Sequence, residues 1–198
     1  MRYDCGVNLR PLVLVPSLVA LVSLSACGST EPEPEPQPSA EGCDRFDFPL
    51  SAQTDNHHVA TCSSTACGAS STMEAENPPS SGMHCGTWAA CGVYTEPVAR
   101  CMYVHNLEHG HAVFLYNCPE GCPDEVAKLE AAAASVPAGS NGVRRALVAQ
   151  DPQLPKRVAA LLWRRAYVTD TADPDALRCL LAYQDVDAPE PGLACQAH

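Results

Sequence analysis

Ala112-Val113-Phe114-Leu115-Tyr116, followed after a short turn by Pro123 to Ser135, is the stretch on which the architecture turns. Five consecutive apolar residues without alternation read as a central strand covered on both faces. Pro123 with Asp124 and Glu125 behind it, then an alanine-rich interior, reads as a helix: proline is tolerated in a first turn, and acids there favour the positive end of the helix dipole. Working outward, Pro137 to Gly142 breaks that helix, and Val143 to Gln150 alternates enough for a strand. Arg157 to Trp163 supplies another apolar segment. Asp173-Pro174-Asp175 opens a second helix to about Gln184, with a carboxylate at the cap and Leu177, Leu180 and Leu181 on one face. Upstream, Cys101 to Asn106 reads as extended, and Cys43 to Pro79 as disulfide-pinned loop with a short strand at His57 to Thr61. Asn77-Pro78-Pro79 marks a rigid turn. This order implies an α+β fold: a mainly antiparallel sheet with two helices on one face and a disulfide-stapled N-terminal loop region.

The N-terminus reads as an address. Arg2 and Arg10 precede an apolar run from Leu12 to Leu24, and Leu24-Ser25-Ala26-Cys27 ends it. A basic start, a short apolar stretch and small residues at its end make a secretory signal, too short for a stable membrane span. The last four residues resemble the bacterial lipobox, which implies lipid attachment at Cys27. Gly28 after the cysteine resembles sorting to the outer membrane. Glu31-Pro32-Glu33-Pro34-Glu35-Pro36-Gln37-Pro38 then reads as an extended, solvated spacer. The expected organisation is a signal over 1–27, a tether over 28–42 and one α+β domain over 43–198. The protein is expected outside the cytoplasm, held to the bacterial membrane by its lipid.

Composition narrows the partners. Among 198 residues, 46% are apolar and 18% charged, so a packed core is affordable. The formal net charge is -11 and the basic residues form no stripe, which excludes a nucleic-acid partner. There are 12 cysteines and no C-x2-C pair, so zinc modules are not indicated. With Cys5 lost with the signal and Cys27 lipidated, an even set remains for disulfides in an oxidising compartment. Cys62 with Cys67, and Cys118 with Cys122, are spaced to close locally, although spacing leaves the connectivity open. Cys118-Pro-Glu-Gly-Cys122 lacks thioredoxin-type spacing.

Chemistry concentrates in two strings, Ser80-Ser81-Gly82-Met83-His84 and Val104-His105-Asn106-Leu107-Glu108-His109-Gly110. On a helical turn His105 and His109 would share a face, and His84 can complete a three-histidine metal set for copper or zinc. Glu108 is the candidate catalytic group, as a base for bound water, a ligand or a partner to a ligating ring. His105 to His109 also reads as H-x-x-E-H, the zinc-peptidase pattern, which needs a long helix through the glutamate and an acidic ligand beyond it. The other alternative is a non-enzymatic envelope lipoprotein whose histidines only hydrogen-bond backbone. His57, His58 and His198 read as bystanders.

Asn77-Pro-Pro-Ser-Ser-Gly-Met-His84, Trp88, Gly92-Val-Tyr-Thr-Glu-Pro97 and Val104-His-Asn-Leu-Glu-His-Gly110 resemble the bacterial family of unknown function DUF3105. Leu162-Trp163-Arg164-Arg165 and Ala188-Pro189-Glu190 resemble its C-terminal pattern, so the resemblance spans roughly residues 75 to 192. It brings no activity with it. Two positions depart from the family pattern: Met83, where proline is usual, and His111, where a small or apolar residue is usual. Both residue types are potential ligands, and a thioether at Met83 would favour copper over zinc.

Overall fold

A computed structural model of the chain describes residues 40–52, 55–60, 62 and 77–198. The expected signal segment, the expected lipid-attachment residue Cys27, most of the expected tether and Cys67 lie outside the described residues. In chain order the elements are β1 (Gly92–Val93), α1 (Arg100–Glu108), β2 (Ala112–Tyr116), α2 (Pro123–Ser135), β3 (Ala146–Gln150), β4 (Val158–Leu162), β5 (Arg165–Thr169) and α3 (Pro174–Leu181).

The five strands form one sheet in the order β1-β3-β2-β4-β5. β3 runs parallel to both β1 and β2, while β4 is antiparallel to β2 and β5. The class is α+β, but the sheet is mixed rather than mainly antiparallel. The reason is α2: a helix between adjacent strands carries the chain back to its starting end, so β2 and β3 must run the same way. The β1–α1–β2 and β2–α2–β3 crossovers step across the sheet in opposite directions. The right-handed preference of such crossovers then sends their helices to opposite faces.

The core shows that division. Ala112, Phe114, Val148 and Ala160 pack with Leu129, Leu177, Leu180 and Leu181 of α2 and α3. Val113, Leu115, Leu147 and Leu161 face Tyr103, Val104 and Leu107 of α1. Both faces are covered, which is why β2 and β4 read as unbroken apolar runs. The two helices anticipated on one face are α2 and α3; α1 on the other replaces the expected extended segment at Cys101 to Asn106. Its residues are buried nearly all round, from Cys101 and Tyr103 to Glu108, so it lacks the amphipathic period that identifies a surface helix. Its preceding residue, Ala99, makes no side-chain cap. β5 also escapes sequence reading, because Trp163-Arg164 turns the β4–β5 hairpin without glycine, Arg164 taking φ 62°. That turn is held from outside: Ser51 O accepts from Arg164 Nε and Nη2 at 2.9 and 2.6 Å.

Disulfides join Cys43 to Cys179, Cys62 to Cys85, Cys91 to Cys195 and Cys118 to Cys122; Cys101 is also disulfide-bonded. Cys118 and Cys122 close locally, whereas Cys62 reaches across to Cys85. No helix among the described residues is long and apolar enough to cross a membrane.

Candidate metal centre

The centre is built around the C-terminal end of α1. Gly110 N donates to Leu107 O and His111 N to Asn106 O, both at 3.0 Å, with Gly110 at φ 76°. This is the Schellman arrangement, in which a left-handed residue stops the helix and satisfies its last carbonyls. A side chain at Gly110 would also meet the Asp185 carboxylate, which Arg145 holds through two hydrogen bonds of 2.8 and 2.6 Å. The helix therefore ends at Glu108. His105 and Glu108, three apart, share one face of its last turn, while His109 sits beyond it as the cap.

Asn106 faces the other way. Its Oδ1 accepts from Ala89 N at 2.9 Å and its Nδ2 donates to Ala89 O at 2.8 Å. By clamping one residue of the 86–90 loop at both backbone groups, it seats the neighbouring Trp88 over the histidines. The Trp88 ring lies 5.0 Å from that of His105 and 4.6 Å from that of His109, edge-on to both.

The second side of the centre comes from the turn after the Asn77–Pro78 cis peptide bond. Cys85 N donates to Cys101 O at 3.0 Å, binding this segment to the start of α1. His84 forms a parallel bridge with His58, Val59 N donating to His84 O at 2.8 Å. With the Cys62–Cys85 disulfide beside it, this bridge brings the His58 ring to 5.0 Å from His84 and 4.9 Å from His105.

One ligand-capable atom from each of His58, His84, His105 and Glu108 falls within 4.8 Å of all the others. His84, His105 and Glu108 are buried, and His58 is exposed. The tautomers follow from the surroundings. His84 Nδ1 is 2.8 Å from Gly82 O and His105 Nδ1 is 2.7 Å from Cys85 O. A carbonyl only accepts, so each Nδ1 must carry the proton. In the neutral rings each Nε2 is then a bare lone pair. His84 Nε2 lies 2.9 Å from Glu108 Oε2, and His105 Nε2 lies 3.9 Å from the same oxygen. Glu108 Oε1 accepts from Asn56 Nδ2 at 3.4 Å.

The electrostatics favour open ligands. Burial, with His84 and His109 beside it, lowers His105 to about 4, so its Nε2 is unprotonated at neutral pH. Burial by itself raises the Glu108 carboxyl, but the close His84 ring and the neighbouring imidazoles outweigh it and leave the group below its ordinary value. A carboxylate in the last turn of a helix also opposes the helix dipole. Glu108 is thus buried in a place that both burial and the dipole make unfavourable for a carboxylate.

Of the sequence candidates, the structure brings His84, His105 and Glu108 together. His109 is adjacent, its ring 4.6 Å from that of His105, but it is not among the four convergent ligand groups. Burial lowers its pKa against the opposing pull of Glu108 and Glu190, and its Nδ1 lies 3.4 Å from Glu190 Oε2. His58, set aside in the sequence, joins the centre. The signal for it was its short-strand context, but its pairing with His84 required tertiary contacts. His111 is committed elsewhere: Nε2 donates to Leu193 O at 2.9 Å, and Nδ1 accepts from Asn106 Nδ2 at 3.1 Å. Cys91 and Cys195 beside it are joined as a disulfide. The peptidase pattern lacks its structural context, since α1 has nine residues and stops at the glutamate.

The family described as "Protein of unknown function (DUF3105)" matches residues 66–197, more than half of the chain. The chain belongs to this family. No curated protein and no solved structure matches it. In this DUF3105 chain the matched span contains His84, His105, Glu108 and His109, while His58 lies before it. The histidine–asparagine–leucine–glutamate–histidine–glycine string has a physical reading here. His105 and Glu108 face the centre, Asn106 clamps the Trp88 loop, Leu107 enters the core, and Gly110 ends the helix.

Proposed function

We propose that this protein is a lipid-anchored, extracytoplasmic metal-binding protein. Its disulfide-stapled domain holds one transition-metal ion, copper or zinc, through His84, His105 and Glu108, with His58 as the outermost ligand. The observation that carries this reading is the fixed tautomer of two buried imidazoles. Both spend their Nδ1 protons on backbone carbonyls, and both turn Nε2 toward one carboxylate. Three groups that all present lone pairs require a cation or an extra proton among them. Metal-ligating histidines are oriented in this way, with the far ring nitrogen donated to a carbonyl.

Imidazole nitrogens with one carboxylate oxygen suit zinc or copper(II). Four protein groups around one ion make a site for binding; Glu108 then acts as a ligand to the ion. The signal-like segment, Cys27 and the Glu/Pro tether support placement outside the cytoplasm, anchored by lipid to the bacterial membrane. On this reading the tether holds a metal site clear of the bilayer.

The test is elemental analysis and equilibrium titration of protein exported through an oxidising compartment and purified without chelator. Near-stoichiometric copper or zinc is expected, lost in the His84→Ala/His105→Ala double variant. Full occupancy in that variant, or a folded wild type that takes up neither ion, overturns the proposal. In the latter case His84 and Glu108 are a buried ion pair that organises the turn.

A further inference from the structure

We propose that His109 and Glu190 form an outer cation station through which the ion passes between solvent and the inner centre; the inference rests on the metal centre proposed above. His109 is 3% exposed at its side chain, and neither ring nitrogen has a well-formed hydrogen bond among the described residues; the groups that draw on it are Glu108 and Glu190. Burying an imidazole so loosely held is unfavourable, so its position calls for a role. Its nearest charged neighbour on the outer side is the Glu190 carboxylate, 3.4 Å from Nδ1. The Glu190 side chain is 63% exposed.

Glu190 is held at this place. Its backbone N donates to Glu108 O at 3.0 Å, on the last turn of α1, and Pro189 and Pro191 stiffen the chain on either side. The acid therefore stands over the helix end that carries the centre. Behind it the imidazoles follow one another: His109 to His105 is 4.6 Å between ring centroids, and His105 to His84 is 4.8 Å. Trp88 covers both His105 and His109, edge-on. The order from solvent inward is thus an exposed carboxylate, a buried and loosely held imidazole, and the inner ligands. An exposed acid concentrates cations at the entrance. A loosely held imidazole accepts the ion, and a pair of ligands holds it too weakly to retain it against the fuller inner set.

The experiment uses the chelator-stripped protein mixed with Cu²⁺ in a stopped-flow instrument. Both tryptophans of the chain flank the centre, Trp88 beside His105 and Trp163 at 6.3 Å from His84, so quenching of intrinsic fluorescence follows loading. In E190Q, a surface substitution, and in H109Q, loading is expected to slow by about tenfold or more. Release into excess chelator slows by the same factor, because a route changes both directions and leaves the equilibrium affinity in place. Unchanged loading in E190Q and H109Q overturns the station and sends the ion in past His58. A weakened affinity at an unchanged loading rate also overturns it, making His109 an ordinary inner ligand. A wild type that binds no Cu²⁺ removes the centre and the route together, whereas normal wild-type loading with unaltered variants removes the route alone.

Discussion

The sharpest consequence of the geometry concerns Glu108→Gln. In the metal-free protein the 2.9 Å contact between His84 Nε2 and Glu108 Oε2 joins two groups that are both acceptors once Nδ1 has given its proton to Gly82 O. The amide of E108Q brings its own N–H to that contact and donates it to Nε2. A hydrogen bond is gained where two lone pairs faced each other, so stability in chelator should equal the wild type's or exceed it by up to about 1 kcal/mol. The metal-bound form loses a charged ligand. If affinity falls about 100-fold, the loss is about 2.7 kcal/mol. Free ion at about 100 times the wild-type Kd stabilises the wild type by about 2.7 kcal/mol; the same concentration stabilises the variant by about 0.4 kcal/mol. The difference of about 2.3 kcal/mol corresponds to about 5 to 9 °C in Tm for a domain of this size. The assay is thermal unfolding of both proteins in chelator and in buffered free zinc. Equal zinc-induced shifts in the two proteins would refute the ligand role. A large loss of stability already present in chelator would refute the tautomer argument, because it would mean that the carboxylate pairs with a permanently charged His84.

Two further outcomes follow from the same geometry. Burial lowers His111 to about 4 in the folded state, against about 6.5 in the unfolded chain. Between those values the unfolded chain binds more protons, so the metal-free protein loses stability as pH falls from about 6.5 toward 4, on the order of 3 kcal/mol from His111. His105, lowered likewise, acts in the same direction. Urea unfolding in chelator at several pH values checks this, and a flat profile would contradict the burial of both rings. Gly110→Ala should cost about 2 kcal/mol or more, since φ 76° disfavours a side chain and Asp185 occupies the space. Gly121→Ala, at φ 84° with open space around it, should cost less; a shift in urea midpoint at constant slope measures both.

The legibility of the fold varies with how locally each element is specified. α2 and α3 carry their own signals: Pro123 with two acids behind it, and Asp173 accepting from Asp175 N at 2.9 Å as a cap. β2 and β4 announce themselves as apolar runs because each is covered on both faces. α1 does not, since a helix buried nearly all round has no polar face to set a period. β5 does not, because its turn depends on Ser51 accepting from Arg164 rather than on a turn-forming residue.

The centre divides in the same way. Sequence alone placed His105, Glu108 and His109 in one short string closed by Gly110, and set His84 shortly after the rigid Asn77-Pro78-Pro79 turn. Those are statements about neighbours in the chain, where spacing and backbone freedom suffice. Tertiary structure decided which groups meet. Stopping the helix at Glu108 put His109 at the cap, beside Glu190 instead of in the inner set. The bridge between His58 and His84, fastened by Cys62 and Cys85, delivered a ligand-capable imidazole that no spacing foretold. The carbonyls of Gly82 and Cys85 then chose which nitrogen each buried ring presents. A lone pair's direction depends on the partner across the ring, and that partner comes from elsewhere in the fold.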